Sequence, residues 1–264
     1  MENKGIELLL QVFVVDHNNI KWKSNLNAAH NKQVMIDLGG RATSGVRQEG
    51  YISGRGLTSS WVIGIIEGES LGSFYLPVYA GMVDGKMSYK SINGGYTDNI
   101  SDAKREIVGC ALPDVELGWS NYLTFFKRWN LDFTFRAMLG SQIYNATRML
   151  FDYPGDFPSI NKLPDAIDWY KQGRTNAAQE SDLYVESASF LRLDYLGLTY
   201  NINTAKFSWL SDLRLSLAAN NLFLLTSYTG IDPETSIDGL NFGIDQYNTY
   251  PKTRSFTLGI NASF

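Results

Sequence analysis

One cysteine, Cys110, and two histidines in 264 residues exclude a disulfide framework and leave little room for a zinc site. Prolines number only 7, and charged residues make up 19%, a small share for a chain wholly surrounded by water. With 23 basic and 27 acidic residues the net charge is -4, the wrong sign for a nucleic-acid footprint. No apolar run approaches the ~18–20 residues of a membrane helix, so helical spanning is excluded too. What is abundant is aromatic side chains and glycine: 15 Tyr, 14 Phe, 6 Trp and 24 Gly. Hydrophobic residues reach 44%, yet mean hydropathy is -0.18. That balance fits a transmembrane β-barrel, whose lipid-facing and lumen-facing side chains alternate and cancel in the average.

Read with a period of two, seven segments separate into an apolar and a polar face. Ile6, Leu8, Leu10, Val12 and Val14 oppose Glu7 and Gln11; Trp22, Leu26 and Ala28 oppose Lys21, Lys23, Asn25 and Asn27. Val115, Leu117, Trp119, Leu123 and Phe125 oppose Glu116, Ser120 and Thr124. Trp129, Leu131, Phe133, Phe135, Ala137 and Leu139 oppose Asn130, Asp132, Thr134 and Arg136. Leu213, Leu215 and Leu217 oppose Arg214, Ser216 and Ala218, and Phe256, Leu258, Ile260, Ala262 and Phe264 oppose Thr257, Gly259, Asn261 and Ser263. A segment from Leu191 to Ile202 changes phase at Tyr195-Leu196, which predicts a β-bulge there. Runs of roughly ten to thirteen residues exceed the five or six of globular strands and match tilted membrane strands.

The connections alternate in length. Tight turns fall at Asp16-His17-Asn18-Asn19 and Lys127-Arg128, with a short join near 203–210. Long stretches fall near 39–113, 141–187 and 225–251. Barrels have short periplasmic turns and long extracellular loops, so every long stretch is expected outside the cell. A helix is predicted from Gln142 to Phe151, inside one of these loops. Leu8 to Val15 lacks the basic segment and cleavage site of a leader. Seven is odd where single-chain bacterial barrels are even. Residues 1–264 are therefore expected to be the C-terminal part of a longer barrel, without its N-terminal strands.

Several motifs, in order and spacing, resemble the C-terminus of the SusC/RagA class of TonB-dependent outer-membrane transporters. They are Ser189-Phe190-Leu191-Arg192-Leu193, Leu198-Thr199-Tyr200-Asn201 and Asn220-Asn221-Leu222-Phe223. Tyr228-Thr229-Gly230-Ile231-Asp232-Pro233-Glu234, Tyr250-Pro251-Lys252-Thr253-Arg254-Ser255-Phe256 and the closing Phe264 follow. Asn3 to Leu8, Leu112-Pro113-Asp114 and Gly140 to Asn145 extend the likeness upstream, and it is loosest over 39–90. Two departures are Ser91 to Asn99, which lacks the family's acidic density, and Asn203, where a proline is usual. The resemblance implies an all-β fold: an antiparallel transmembrane β-barrel, here about seven strands of a 22-stranded one, with long extracellular loops. It also implies a plug domain outside this chain, a TonB complex that supplies energy, and a SusD-type surface lipoprotein. The activity it implies is import of oligosaccharides or other nutrient polymers, peptides among them, without covalent chemistry or a cofactor.

Candidate functional residues follow from both readings. Phe256, Leu258, Ile260 and Phe264 form a terminal amphipathic strand suited to recognition by the barrel assembly machinery. Trp22, Trp119, Trp129 and Tyr250 read as girdle aromatics with polar tips in water. Tyr51, Trp61, Tyr75, Trp169 and Tyr170 lie in loops where they could stack on a sugar or a partner protein, or simply pack. Asn130, Asp132, Thr134, Arg136, Arg214 and Ser216 would hydrate the lumen. His17 and His30 have no metal-ligand spacing. Two other architectures fit less of the pattern: a self-contained small barrel acting as adhesin or enzyme, and a soluble glycan-binding β-sandwich. The first needs an even strand count, the second shorter strands.

Overall fold

In a computed structural model the chain is described at residues 1–40, 45–54, 57, 60–235, 241–247 and 250–264. All seven expected strands form: β1 (Glu2–His17), β2 (Ile20–Val34), β3 (Val115–Phe125), β4 (Trp129–Leu139), β5 (Phe190–Asn201), β6 (Asp212–Thr226) and β7 (Ser255–Ser263). They make one sheet in the order β1-β2-β3-β4-β5-β6-β7, every pair antiparallel. Because β2 and β3 pair directly and antiparallel, the long stretch between them leaves and returns at the same end of the sheet, and its described residues add no strand to it. Two residues join β1 to β2, and three join β3 to β4, with Phe126 and Lys127 at positive φ. Positive φ at consecutive loop residues matches the twist of the flanking strands. No helix among the described residues is long and apolar enough to cross a membrane.

Register puts like with like. Leu26, Trp119, Phe135 and Leu193 lie in one row across β2 to β5, and Leu198, Leu217 and Leu258 in another across β5 to β7. Leu258 is 77% exposed, so this face has only lipid to bury it. The bulge sits at Asp194, one residue before the expected phase change: Thr134 pairs with Tyr195 but Phe135 with Leu193. β6 answers with its own irregularity, where Asn221 takes φ 51.

Two of the four girdle aromatics read differently in three dimensions. Trp22 donates its indole N–H to Asn121 Oδ1 at 2.9 Å, and Trp119 donates to Ser24 Oγ at 2.9 Å. These indoles shield polar side chains on the apolar face instead of reaching water, and Trp119 lies mid-strand. Tyr250 stands outside the strands, in the loop before β7. Trp129 keeps the expected place at the short-turn end, 4.5 Å from the Tyr200 ring and parallel to Phe125.

Above the sheet the long connections fuse into one cap. The β2–β3 connection folds into a four-stranded antiparallel sheet (Val46–Ile52, Ser60–Ile66, Ser73–Pro77, Arg105–Cys110) and a three-stranded one (Tyr79–Val83, Lys86–Lys90, Tyr96–Thr97). The strand Gln142–Asn145 pairs with Val185–Ser187 and, in parallel, with Ile244–Asp245 from the last long connection. Ile52, Val62, Phe74, Leu76, Tyr144, Met149, Tyr184 and Ile244 are fully buried in a shared core. The helix expected from Gln142 starts later, as α1 (Ala146–Phe151). Asn145 sets that start: its side chain accepts the Arg148 N–H at 2.7 Å, an N-cap bond that holds the first turn after the strand Gln142–Asn145. A second helix, α2 (Asp165–Lys171), follows Pro164.

Candidate functional site

The strands and the last long loop meet at the cap end of the lumen face. Arg136 of β4 and Arg192 of β5 are direct cross-strand partners, a like-charge pair that repels unless neutralised. The bulge at Asp194 supplies the first carboxylate: Arg136 Nε donates to Asp194 Oδ2 at 2.8 Å. The Asp232-Pro233-Glu234 segment supplies two more. Arg136 grips Glu234 with both terminal nitrogens, at 2.5 and 2.9 Å, and Arg192 Nη2 reaches Asp232 Oδ1 at 2.7 Å and Glu234 Oε2 at 2.9 Å. Lys252 Nζ completes the cluster, 2.7 Å from Glu234 Oε2. Three cations face three carboxylates, and the Phe190 ring lies 5.2 and 5.4 Å from the two guanidinium carbons. Burial alone would raise the Glu234 carboxyl, but hydrogen bonds from Arg136 and Lys252 outweigh it and hold the group below its ordinary 4.5. The Asp232 carboxylate also accepts the Glu234 N–H at 3.0 Å, which fixes the turn.

A second cluster ties the same loop to the cap. Thr229 donates its backbone N–H to Glu186 Oε2 at 3.0 Å, and the Tyr228 hydroxyl donates to Asp245 Oδ2 at 2.5 Å. Arg148 bridges Asp165 (3.1 Å) and Glu186 (3.3 Å). Between α1, Pro164 and the 229–231 turn lies a hollow of 390 Å³, bordered by polar Thr147, Arg148, Asp165 and Thr229 and by apolar Leu163, Ile231 and Tyr247. It offers donors, acceptors and one aromatic ring, a lining suited to a polar polymer with apolar patches. At the opposite end, Asn130, Asp132 and Arg214 surround a wide lumen-side hollow together with Thr199, Asn201 and Asp212.

The loop aromatics divide. Tyr51 and Trp61 come together, ring centroids 5.1 Å apart, on adjacent cap strands. Tyr75 is half-buried beside them, its carbonyl accepting from Arg105. Trp169 braces the cap: it donates to Asp152 Oδ2 at 3.1 Å, and Arg174 lies 5.1 Å over its ring. Asp152 and Arg174 are an ion pair at 3.1 Å with both side chains 0% exposed. Burial pushes the Asp152 carboxyl up to about 6, against the downward pull of Arg174. Tyr170, one residue on from Trp169, is 74% exposed. Phe256, Leu258, Ile260 and Phe264 are all exposed along the β7 side of the sheet.

The Arg192–Asp232–Glu234–Lys252 constellation was not read from the sequence, although each member sits in a quoted motif. The signal was there: three of the resemblance segments carry opposite charges that only a folded-back loop can join. Asp152 and Arg174 gave none, being 22 residues apart with no pattern between them.

No family model matches the chain. Among curated proteins it is 28% identical to TonB-dependent receptor P3 of Formosa agariphila, over all of this chain and 29% of that protein. It is 25% identical to TonB-dependent receptor SusC of Bacteroides thetaiotaomicron, over all of this chain and 26% of that one. The chain thus spans less than a third of the length of these relatives. Among solved structures, the RagAB peptide importer in its closed-closed state superposes with a TM-score of 0.79 over 99% of this chain and 29% of that one, at 23% identity. That likeness is one of fold, and it covers the sheet and the cap together. With the seven-strand register and the motif order, the chain is similar to the C-terminal barrel portion of SusC-type TonB-dependent receptors in sequence and to the RagAB importer in fold.

Proposed function

We propose that residues 1–264 form the C-terminal part of a TonB-dependent importer, with plug and N-terminal strands contributed by the rest of a longer protein. In this reading the seven strands are wall, and the cap is the vestibule that receives an oligosaccharide or other nutrient polymer, peptides included. A SusD-type lipoprotein would cover the cap, and the TonB complex would act through the plug. Phe256, Leu258, Ile260 and Phe264 would present the finished edge to the barrel assembly machinery. Exposed Tyr170 and the Tyr51–Trp61 pair are the aromatics offered to ligand or lipoprotein. No covalent step is required of any residue.

The observation that carries this reading is the folded-back 228–234 loop, clamped to lumen-facing Arg136 and Arg192 of two wall strands. A loop fixed to the inner wall narrows the entrance and leaves its Thr229–Ile231 turn beside the 390 Å³ hollow. The test is uptake by cells that carry the whole transporter as sole importer of the nutrient on which its expression depends. Arg192→Met is expected to reduce uptake at least tenfold while the protein still reaches the outer membrane in heat-modifiable form. Undiminished uptake would overturn the role given to the loop. An immunoblot band at 29.6 kDa in the native outer membrane, with none heavier, would overturn the larger importer.

A further inference from the structure

The 390 Å³ hollow between α1, Pro164 and the 229–231 turn holds a charge that the rest of the chain leaves unanswered. Asp245 lines it and is only 8% exposed. A carboxylate at that depth ordinarily faces a cation, because burial removes the water that would stabilise it. Here neutral groups hold both oxygens. Oδ1 accepts from the Thr147 hydroxyl at 3.1 Å, and Oδ2 accepts from the Tyr228 hydroxyl at 2.5 Å. Two hydroxyls fix the direction of the carboxylate and bring it no positive charge. Among the described residues Asp245 has no ion-pair partner.

The cations nearby are engaged elsewhere. Arg148, on the wall of the hollow, lies between Asp165 and Glu186, so one guanidinium already answers two carboxylates. Lys252, next to Pro251 of the lining, is held by Glu234 at 2.7 Å. Lys162, next to Leu163, lies 5.8 Å over the Tyr153 ring. The surplus negative charge of the hollow therefore sits at Asp245. Much of the remaining lining is apolar: Leu163, Ile231, Tyr247 and Pro251. The Tyr247 ring is set edge-on to Phe151, 6.1 Å apart at 87°, and its hydroxyl donates to the Ser53 carbonyl at 3.3 Å. An apolar lining around one oriented carboxylate complements a side chain with an aliphatic stem and a cationic head.

We propose that this hollow is the subsite for a lysine or arginine side chain of an imported peptide, its head at Asp245 and its stem against Tyr247 and Ile231. The assignment rests on the import reading above and narrows the nutrient polymer to a peptide with a basic side chain. An amino sugar offers the same ammonium but carries it directly on a hydrated ring, with no stem for the apolar lining to cover. An acidic oligosaccharide would set its own carboxylates against Asp245, a like-charge contact that opposes binding.

The test uses the full-length transporter in detergent and isothermal titration calorimetry. The probes are end-capped heptapeptides of glycine and serine with lysine, norleucine or glutamate at the centre, so that the central side chain carries the only charge. The lysine peptide is expected to bind about tenfold more tightly than the norleucine one, the ratio of one charge-assisted hydrogen bond, and the glutamate peptide most weakly. Asp245→Asn keeps an oxygen for a hydroxyl to meet but removes the charge, and is expected to abolish the preference for lysine over norleucine. Equal binding of the lysine and norleucine peptides by the unaltered protein would overturn the proposal, as would binding of neither. So would a preference that survives Asp245→Asn, or a glucosamine trimer held more tightly than the lysine peptide. If Asp245→Asn fails to show heat-modifiable migration, Asp165→Asn, at a half-exposed position of the same lining, is expected to lower the preference, and an unchanged preference there would overturn the proposal instead. The import reading answers to uptake by cells, so it stands or falls separately from this charge preference.

Discussion

The sheet and the cap obey opposite solvent rules within one chain. On the sheet, Leu258 and Ile260 are more than 70% exposed, while Arg192 on the other face is 4% exposed and locked to carboxylates. In the cap, Phe74 and Tyr144 are fully buried and charges such as Asp165 lie outside, the mutually paired Asp152 and Arg174 excepted. The sheet is held by a continuous ladder of backbone hydrogen bonds, which hydrocarbon makes obligatory, and its side chains bury themselves in lipid. The cap is held by burial of apolar side chains in an aqueous setting. Polar chemistry accordingly collects where the two regions meet, at Arg136, Arg192 and the 228–234 loop. There the lumen face is wet enough to solvate charge and enclosed enough to make each pair geometrically strict.

The largest expected effect tests the cap. Arg174→Ala leaves Asp152 buried without its cation, and losing one partner of a fully buried pair costs about 3–5 kcal/mol. The loss should stay in the cap: amide exchange should accelerate from Ala146 to Tyr184 while the strand amides remain protected. Uniform acceleration would mean that the two regions are one cooperative unit. The next effect tests the sheet. In the whole barrel in bilayers, Leu258→Arg should cost about 2–4 kcal/mol if it lies near the midplane, while neighbouring Thr257→Arg, facing the lumen, should cost under about 1 kcal/mol. Urea titrations of folding into vesicles read both, and equal costs would erase the distinction between the faces.

The same difference decided what the sequence could reveal. Lipid on one face and water on the other leave a period of two in Trp129 to Leu139, and all seven strands were legible from it. The cap strands were not, because Trp61-Val62-Ile63-Gly64-Ile65-Ile66 packs on both faces and carries no alternation. The bulge was placed one residue late because the phase of the apolar side chains marks where a slip has ended, whereas Asp194 is where it occurs. Trp22 and Trp119 looked like girdle residues because composition cannot show that Asn121 and Ser24 lie within reach of their N–H groups on neighbouring strands. Of the candidate site, Arg136 was legible as a lumen residue. Its grip on Glu234, 98 positions away, was not.

Acid should separate the regions where they join. The Glu234 carboxyl is held below its ordinary 4.5, so its contribution to holding the loop is complete above that value. It is lost as pH falls below 4.5 through the lower folded value, because the unfolded loop then takes up the proton more readily. Amide exchange at Ile231 to Thr235 should therefore rise below pH 4.5 while β4 and β5 stay protected. In Glu234→Gln the step should vanish, and its persistence would assign it to another carboxylate.

The smallest effect bears on why the cap has a helix at all. Asn145 ends a strand and starts α1 in the same residue: its backbone pairs with Asp245, and its side-chain oxygen takes the Arg148 N–H. Its amide nitrogen also donates to Glu186 at 3.1 Å, so the residue joins helix, small sheet and loop. Asn145→Asp keeps the N-cap acceptor but sets a carboxylate against Glu186; Asn145→Ala removes both bonds. The alanine variant should lose about 1 kcal/mol of cap stability, the usual cost of an N-cap. If the helix start is what matters, Asn145→Asp combined with Glu186→Gln should recover most of it. If instead the bond to Glu186 matters more, Asn145→Asp should be as damaging as alanine with or without the Glu186→Gln change, and the strand-to-helix switch would rest on side-chain pairing across the small sheet.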